Sequence, residues 1–167
     1  MEINFTDYIN DAVRIIILLN ATKHRKSLVM TERKIMLFDY YLKFPHTMLS
    51  DFTDTSCDLQ TLDEYYAFFH WQPDIIRYRR SINYLIAKGF VEKKFEKKQT
   101  VLSITCLGEE VARQINTTYK NRMEKHILTF LPLVENLSDS KIEEQIRKKS
   151  NILLRNGGGN HEKKIKD

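Results

Sequence analysis

Five tracts of the chain repeat their apolar side chains at close to 3.6 residues, and one segment between them alternates instead. Tyr8, Ala12, Ile15, Ile16 and Leu19 recur at helical spacing, predicting a first helix from about Thr6 or Asp7 to Leu19 with Thr6 as its cap. Thr31 is placed to cap a second helix that carries Ile35, Phe38 and Leu42, with Met36 and Tyr40 on the flank, and Pro45 ends or bends it. Pro73 and Asp74 start a third helix and Gly89 stops it. On its wheel Ile75, Ile82, Leu85 and Ile86 form the buried stripe with Arg79 beside them, while Arg77, Arg80, Ser81, Tyr84 and Lys88 fall on the opposite side. The runs 90–95 and 100–105 then flank Glu96-Lys97-Lys98-Gln99 as strand, polar tip and strand.

Beyond the hairpin, Val111, Ile115, Tyr119, Met123, Ile127 and Phe130 continue one stripe, predicting a helix from Glu109 to Phe130. A helix of about twenty residues extends past the core of a compact domain. Its Ile115, Tyr119, Met123, Ile127 and Phe130 are therefore expected to form a protein interface, on another chain or on the following segment folded back. Ser140 and Glu143 make a capping box for a last helix bearing Ile142, Ile146, Leu153 and Leu154. The order of parts predicts a mainly α fold with a small β-hairpin: a winged helix-turn-helix over 6–108, a C-terminal helical extension over 109–154, and a flexible tail over 155–167. Inside the first unit, 50–66 is read as an acidic loop and 90–105 as the wing. A chain of 167 residues is long enough to bury such a core without metal or disulfide staples.

Charge sharpens this picture. Trp71 to Thr100 holds eight Lys/Arg against three Asp/Glu, a surplus equal to the net charge of +5 of the whole chain. The positive field is local and coincides with the third helix and the hairpin. Arg77, Arg80, Ser81, Tyr84 and Lys88 on the helix, with Lys93, Lys94, Lys97 and Lys98 on the wing, are the expected contact residues for nucleic acid or for an acidic protein partner. Ordinary solvated faces mix both signs, and the helix face of Arg77, Arg80, Ser81, Tyr84 and Lys88 carries no carboxylate. Charge reversal at Arg77 and Arg80 together is then expected to leave stability near wild type. Ser50 to Tyr66 is the opposite case, with Asp51, Asp54, Asp58, Asp63 and Glu64 and no basic residue. Its spacing fits no EF-hand, so it is taken as an acidic surface insertion. The aromatic tract from Tyr65 to Trp71 is too dense to leave in water and is expected to pack.

Other chemistries find little in the sequence. Cys57 and Cys106 form no C-x-x-C pair and have no ligand-type neighbours at metal spacing, so no metal site, cofactor or disulfide framework is expected. Glycine-rich phosphate loops, H-E-x-x-H and G-x-S-x-G are absent, and no catalytic residues are assigned; the chain is expected not to be an enzyme and to take no small-molecule substrate. Arg14 interrupts the apolar tract before Ile15 to Leu19, leaving it too short to span a bilayer, and no small-residue cleavage site follows. A cytoplasmic protein without membrane contact is expected.

Three tracts resemble a known family. Arg14-Ile15-Ile16-Ile17-Leu18-Leu19, the stretch from Lys34 to Pro45 with its Leu37-Phe38-Asp39 and Phe44-Pro45, and Tyr78 to Phe90 are similar to the middle component of three-component ABC-type systems. That component is the small winged-helix subunit encoded between an SMC-like ATPase and an effector in Lamassu-type antiphage defence. The resemblance covers roughly residues 8 to 113 and implies a non-catalytic accessory subunit that docks on the ATPase and couples recognition of foreign DNA to the effector. Its partners would be the SMC-like ATPase and the effector protein, with direct contact to double-stranded DNA left open. The alternative is a free-standing dimeric winged-helix transcription regulator, with the helix from Glu109 to Phe130 as its dimer seam.

Overall fold

A computed structural model describes residues 5–25, 27–49, 67, 72–96 and 98–157. Seven helices and one hairpin follow in the order α1 (Phe5–Thr22), α2 (Glu32–Lys43), α3 (Pro45–Leu49), α4 (Ile75–Ala87), β1 (Val91–Glu96), β2 (Gln99–Ile104), α5 (Cys106–Gln114), α6 (Thr118–Val134) and α7 (Asp139–Gly157). The fold is mainly α with one small antiparallel sheet, as the periodicities predict.

Two helices form the axis of the molecule. Every residue from Ile15 to Leu19 of α1 and from Ile35 to Leu42 of α2 is buried, so both are surrounded by other elements instead of lying on the surface with one face inward. Thr31 caps α2 by accepting a hydrogen bond from the Lys34 amide at 3.1 Å, as predicted. Pro45 begins the short α3, consistent with its fixed φ and missing N–H at a helix start.

Gly89 ends α4. Its φ is +72°, its amide donates to Ile86 O, and the Phe90 amide donates to Leu85 O, which is the paired bonding of a left-handed helix stop. The hairpin follows in the register Val91↔Ile104 through Glu96↔Gln99, with Lys98 at φ +67° in the turn. The Leu102 amide also donates to Met30 O at 2.8 Å, tying the extended segment between α1 and α2 to the outer edge of β2. Thr105 then caps α5 through the Gly108 amide and donates its hydroxyl to Gly89 O, closing hairpin and helix stop on each other. Gly108 has no room for a side chain here, since an added Cβ would stand 2.1 Å from Phe90 O.

The single long helix predicted from Glu109 to Phe130 is two. Ile115 ends α5 in extended conformation, and Thr117, also extended, caps α6 by accepting from the Lys120 amide, so the threonine diverts the backbone despite the continuous apolar stripe. The stripe itself is consumed inside the chain. Met123, Ile127 and Phe130 are buried, Ile115 and Tyr119 half-buried, and the Phe130 ring packs against Phe38 and Tyr41 of α2 at centroid distances of 5.5 and 5.2 Å. A fully buried aromatic of this kind contributes about 1.5–3 kcal/mol by area alone. Met123, Ile127 and Phe130 of the expected interface are therefore internal core. α7 folds back in turn: Ile142 and Ile146 are buried, the Tyr40 hydroxyl lies 2.7 Å from Ser150 Oγ, and the Tyr41 hydroxyl donates to Gln145. Met123, Ile127, Phe130, Ile142 and Ile146 thus share one buried cluster with the cores of α1 and α2.

Smaller corrections concern ends. α1 begins at Phe5, ahead of the Thr6 cap predicted for it. Ser138, not Ser140, accepts from the Lys141 amide ahead of α7. The helix runs to Gly157, into the region read as tail. The acidic insertion 50–66, the aromatic tract apart from Ala67, and residues 158–167 lie outside the described residues. Among the described residues, no helix is long and apolar enough to cross a membrane.

Candidate functional site

α4 decides the site, because its rotation sorts its charged side chains into two environments. Tyr78, Ser81, Ile82 and Leu85 are buried, whereas Ile75 is 48% exposed and Arg79 points outward. The helix is turned by about 50° from the apolar wheel, on which each residue advances about 100°.

A buried ionic cluster holds that rotation. Asp11 and Arg14 of α1, Asp39 and Lys43 of α2, and Arg77 and Tyr78 of α4 converge, with Asp11 at 0% and Asp39 at 1% exposure. Arg14 bridges the two carboxylates, donating from Nε to Asp39 at 2.7 Å and from Nη2 to Asp11. Lys43 lies 3.1 Å from Asp39 and donates to the Tyr78 hydroxyl, which itself donates to Asp39. Arg77 pairs with Asp11 through Nε and Nη2. Burial would raise the Asp39 pKa, but Lys43, Arg14 and the hydrogen bonds from Arg14 and Tyr78 override it and bring the group to about 2. Burial likewise opposes the Arg14 charge, and Asp39 with Asp11 outweighs it, holding that pKa above its ordinary value. Desolvation and the neighbouring Asp39 push the Tyr78 hydroxyl well up, so it stays a neutral donor.

The expected contact face is divided accordingly. Arg77 is committed to Asp11, and Ser81 is fully buried, its hydroxyl donating to Tyr8 O at 3.0 Å. Both are engaged by α1, which packs on that side of α4. Tyr84 is half-buried with its ring edge-on to Tyr8 at 5.8 Å. Arg80 is exposed and has no ion pair among the described residues, and Lys88 is exposed with its ammonium 5.8 Å from the Tyr84 ring centre. On the hairpin Lys93, Lys94 and Lys98 are exposed; Lys94 pairs with Glu92 at 2.5 Å, while Lys97 lies outside the described residues.

A second feature was not anticipated. Between the start of α2, the outer side of α4 and the hairpin lies a groove of about 550 Å³ with only polar side chains in its wall, among them Arg33, Arg79, Asn83, Lys93, Gln99 and Thr100. Glu32 stands within it, 3.2 Å from Lys93 Nζ and 3.5 Å from Arg79 Nε. Arg33 pairs with Glu143 of α7. Phe95, 77% exposed, follows Lys93 on the same side of β1 and faces Thr100 across the ladder. Placing Arg79 on the inward side of the wheel concealed this groove. Asp39, on the apolar stripe of α2 with Ile35 and Leu42, was the signal that a cationic partner would have to enter the core. No family model, curated protein or solved structure matches the chain.

Proposed function

We propose that the chain is a non-catalytic accessory subunit of an SMC-like ATPase complex of the antiphage-defence type, bridging the ATPase to an effector subunit. One observation carries the choice over a free-standing dimeric regulator: the stripe of α6 that would have been the dimer seam is buried against α1 and α2 of the same chain. Exposed cations remain available to a partner. Arg80 and Lys88 on α4, with Lys98 on the hairpin, are exposed cations suited to an acidic protein surface, where arginine forks and lysine ammonium groups meet carboxylates; we call them the plate.

The winged reading of the fold is part of the proposal. It is supported by the succession, among the described residues, of helix, extended segment, three further helices and hairpin, and by the Met30 bond to β2, which brings a third extended segment beside the wing. In this reading the chemistry belongs to the other subunits, and the buried cluster sets the plate against the rest of the module.

Co-expression with an SMC-like ATPase tests the proposal. The wild-type chain is expected to co-purify with the ATPase, and Arg80→Glu with Lys88→Glu to lose that association while melting within about 2 °C of wild type. Undiminished co-purification of the folded double variant would refute the role of the plate; no association of the wild type would refute the reading itself.

A further inference from the structure

We propose that the groove between α2, α4 and the hairpin holds an unpaired nucleic-acid strand, with Arg79 and Lys93 on its phosphates and Phe95 as a stacking platform for a base. We further propose that Glu32 occupies the phosphate position while the groove is empty. This goes beyond the subunit reading and stands on different side chains from the Arg80 and Lys88 plate.

The chemistry of the wall selects the ligand class. Its cations come from three elements, Arg33 from α2 (paired with Glu143), Arg79 from α4 and Lys93 from β1, and apart from the Glu32 carboxylate the rest of the wall is amide and hydroxyl groups. An aliphatic peptide or a lipid chain would find no apolar side chain there. Phosphates would find guanidinium and ammonium groups, and base edges would find the donors and acceptors of Asn83 and Gln99.

Glu32 locates the anion. A single carboxylate lies within 3.5 Å of both Arg79 and Lys93, so the midpoint between those cations is a place where negative charge is held. One carboxylate against two cations leaves net positive charge for a diester that replaces it. The glutamate is only partly exposed but belongs to the first turn of α2, free to swing away without unwinding the helix.

Phe95 distinguishes a single strand from a duplex. Val91, Lys93 and Phe95 share one side of β1, and Thr100, opposite Phe95, is a wall of the groove, so the ring stands at the groove's rim. A ring 77% exposed offers its face to a base, and only an unpaired base has a free face to return.

Fluorescence anisotropy of a labelled 20-nucleotide oligothymidylate with the purified full chain, free of any ATPase, tests the inference. Binding is expected at 50 mM salt and to weaken as salt rises. Phe95→Ala is expected to weaken it roughly 5- to 150-fold, the range for loss of one base–aromatic stack. Arg79→Glu with Lys93→Glu should abolish binding, and Glu32→Gln should tighten it, each with a circular dichroism melt near wild type. Absence of oligothymidylate binding at 50 mM salt, equal or tighter binding of a blunt 20-base-pair duplex, an unchanged affinity in Phe95→Ala, or no tightening in Glu32→Gln would overturn it. The Arg80 and Lys88 variant is expected to retain strand binding, so this outcome and the co-purification result can fail separately.

Discussion

Arg77 and Arg79 stand two residues apart on the same helix and meet opposite fates. Arg77 turns toward α1 and is fixed by the fully buried Asp11; Arg79 turns toward the hairpin, its side chain 65% exposed beside Glu32. The inner seam of α4 is a closed account in which three cations meet two carboxylates and no described buried polar side chain lacks a partner. The outer groove keeps its cations at the surface. The same residue type thus orients the helix on one side and offers a ligand surface on the other, and burial of the counter-ion decides which.

The sharpest way to break that comparison is to remove a carboxylate from the seam. Asp39→Ala leaves the three cations Arg14, Lys43 and Arg77 to share the Asp11 carboxylate. Losing one member of a buried ionic cluster costs about 3–5 kcal/mol. For a domain of this size that is a fall of roughly 6–20 °C in Tm, measurable by calorimetry. A Tm within two degrees of wild type would mean that the seam does not hold α4. Arg77→Glu comes next, at about 2–3 kcal/mol, discounted because its side chain is about a third exposed. It places a carboxylate against Asp11, so the earlier expectation that reversing Arg77 leaves stability unchanged no longer stands.

The helices and hairpin were legible because they rest on local signals: Thr31 and Asp74 as caps, Gly89 as a stop, and alternation on both sides of a polar tip. The rotation of α4 was not, because an apolar wheel counts Ile75 as interior and Tyr78 as indifferent. Asp11 and Asp39 draw the Arg77 and Tyr78 side inward instead. The break at Thr117 was hidden for a related reason, since an unbroken stripe through Ile115 and Tyr119 says where side chains are buried but not that the backbone between them is continuous. The groove depends on the phase of α4, which the wheel misjudged, and on the side of the hairpin that faces it, which no local signal fixes; the start of α2 at Glu32 was legible from the Thr31 cap.

Acid titration sharpens the comparison without a mutation. The Asp39 pKa lies at about 2 in the fold, against 3.8 for the free side chain. A depressed carboxylate contributes stability that is fully present above the unfolded value and is lost as pH falls through the folded one. The contribution, about 2 kcal/mol, should therefore persist above pH 4 and disappear between pH 4 and pH 2. In Asp39→Asn the same pH window should show a correspondingly shallower loss of stability by urea unfolding. Identical slopes in the two proteins would place the acid sensitivity outside the seam.

The smallest expected effect is the complement of the largest. Arg80 lies between Arg77 and Tyr84 in sequence, is exposed, and makes no ion pair among the described residues. Arg80→Glu removes no partner from the interior, and surface changes of this kind usually stay within about 0.5 kcal/mol. Reversing one charge on an exposed plate still changes the local potential by two units, so the variant should melt like wild type yet lose affinity for an acidic partner, more strongly at low salt than at high. Paired melts of Arg77→Glu and Arg80→Glu read the difference directly. A similar loss in both would mean that the arginines of α4 share one structural role, and the division between seam and plate would not survive it.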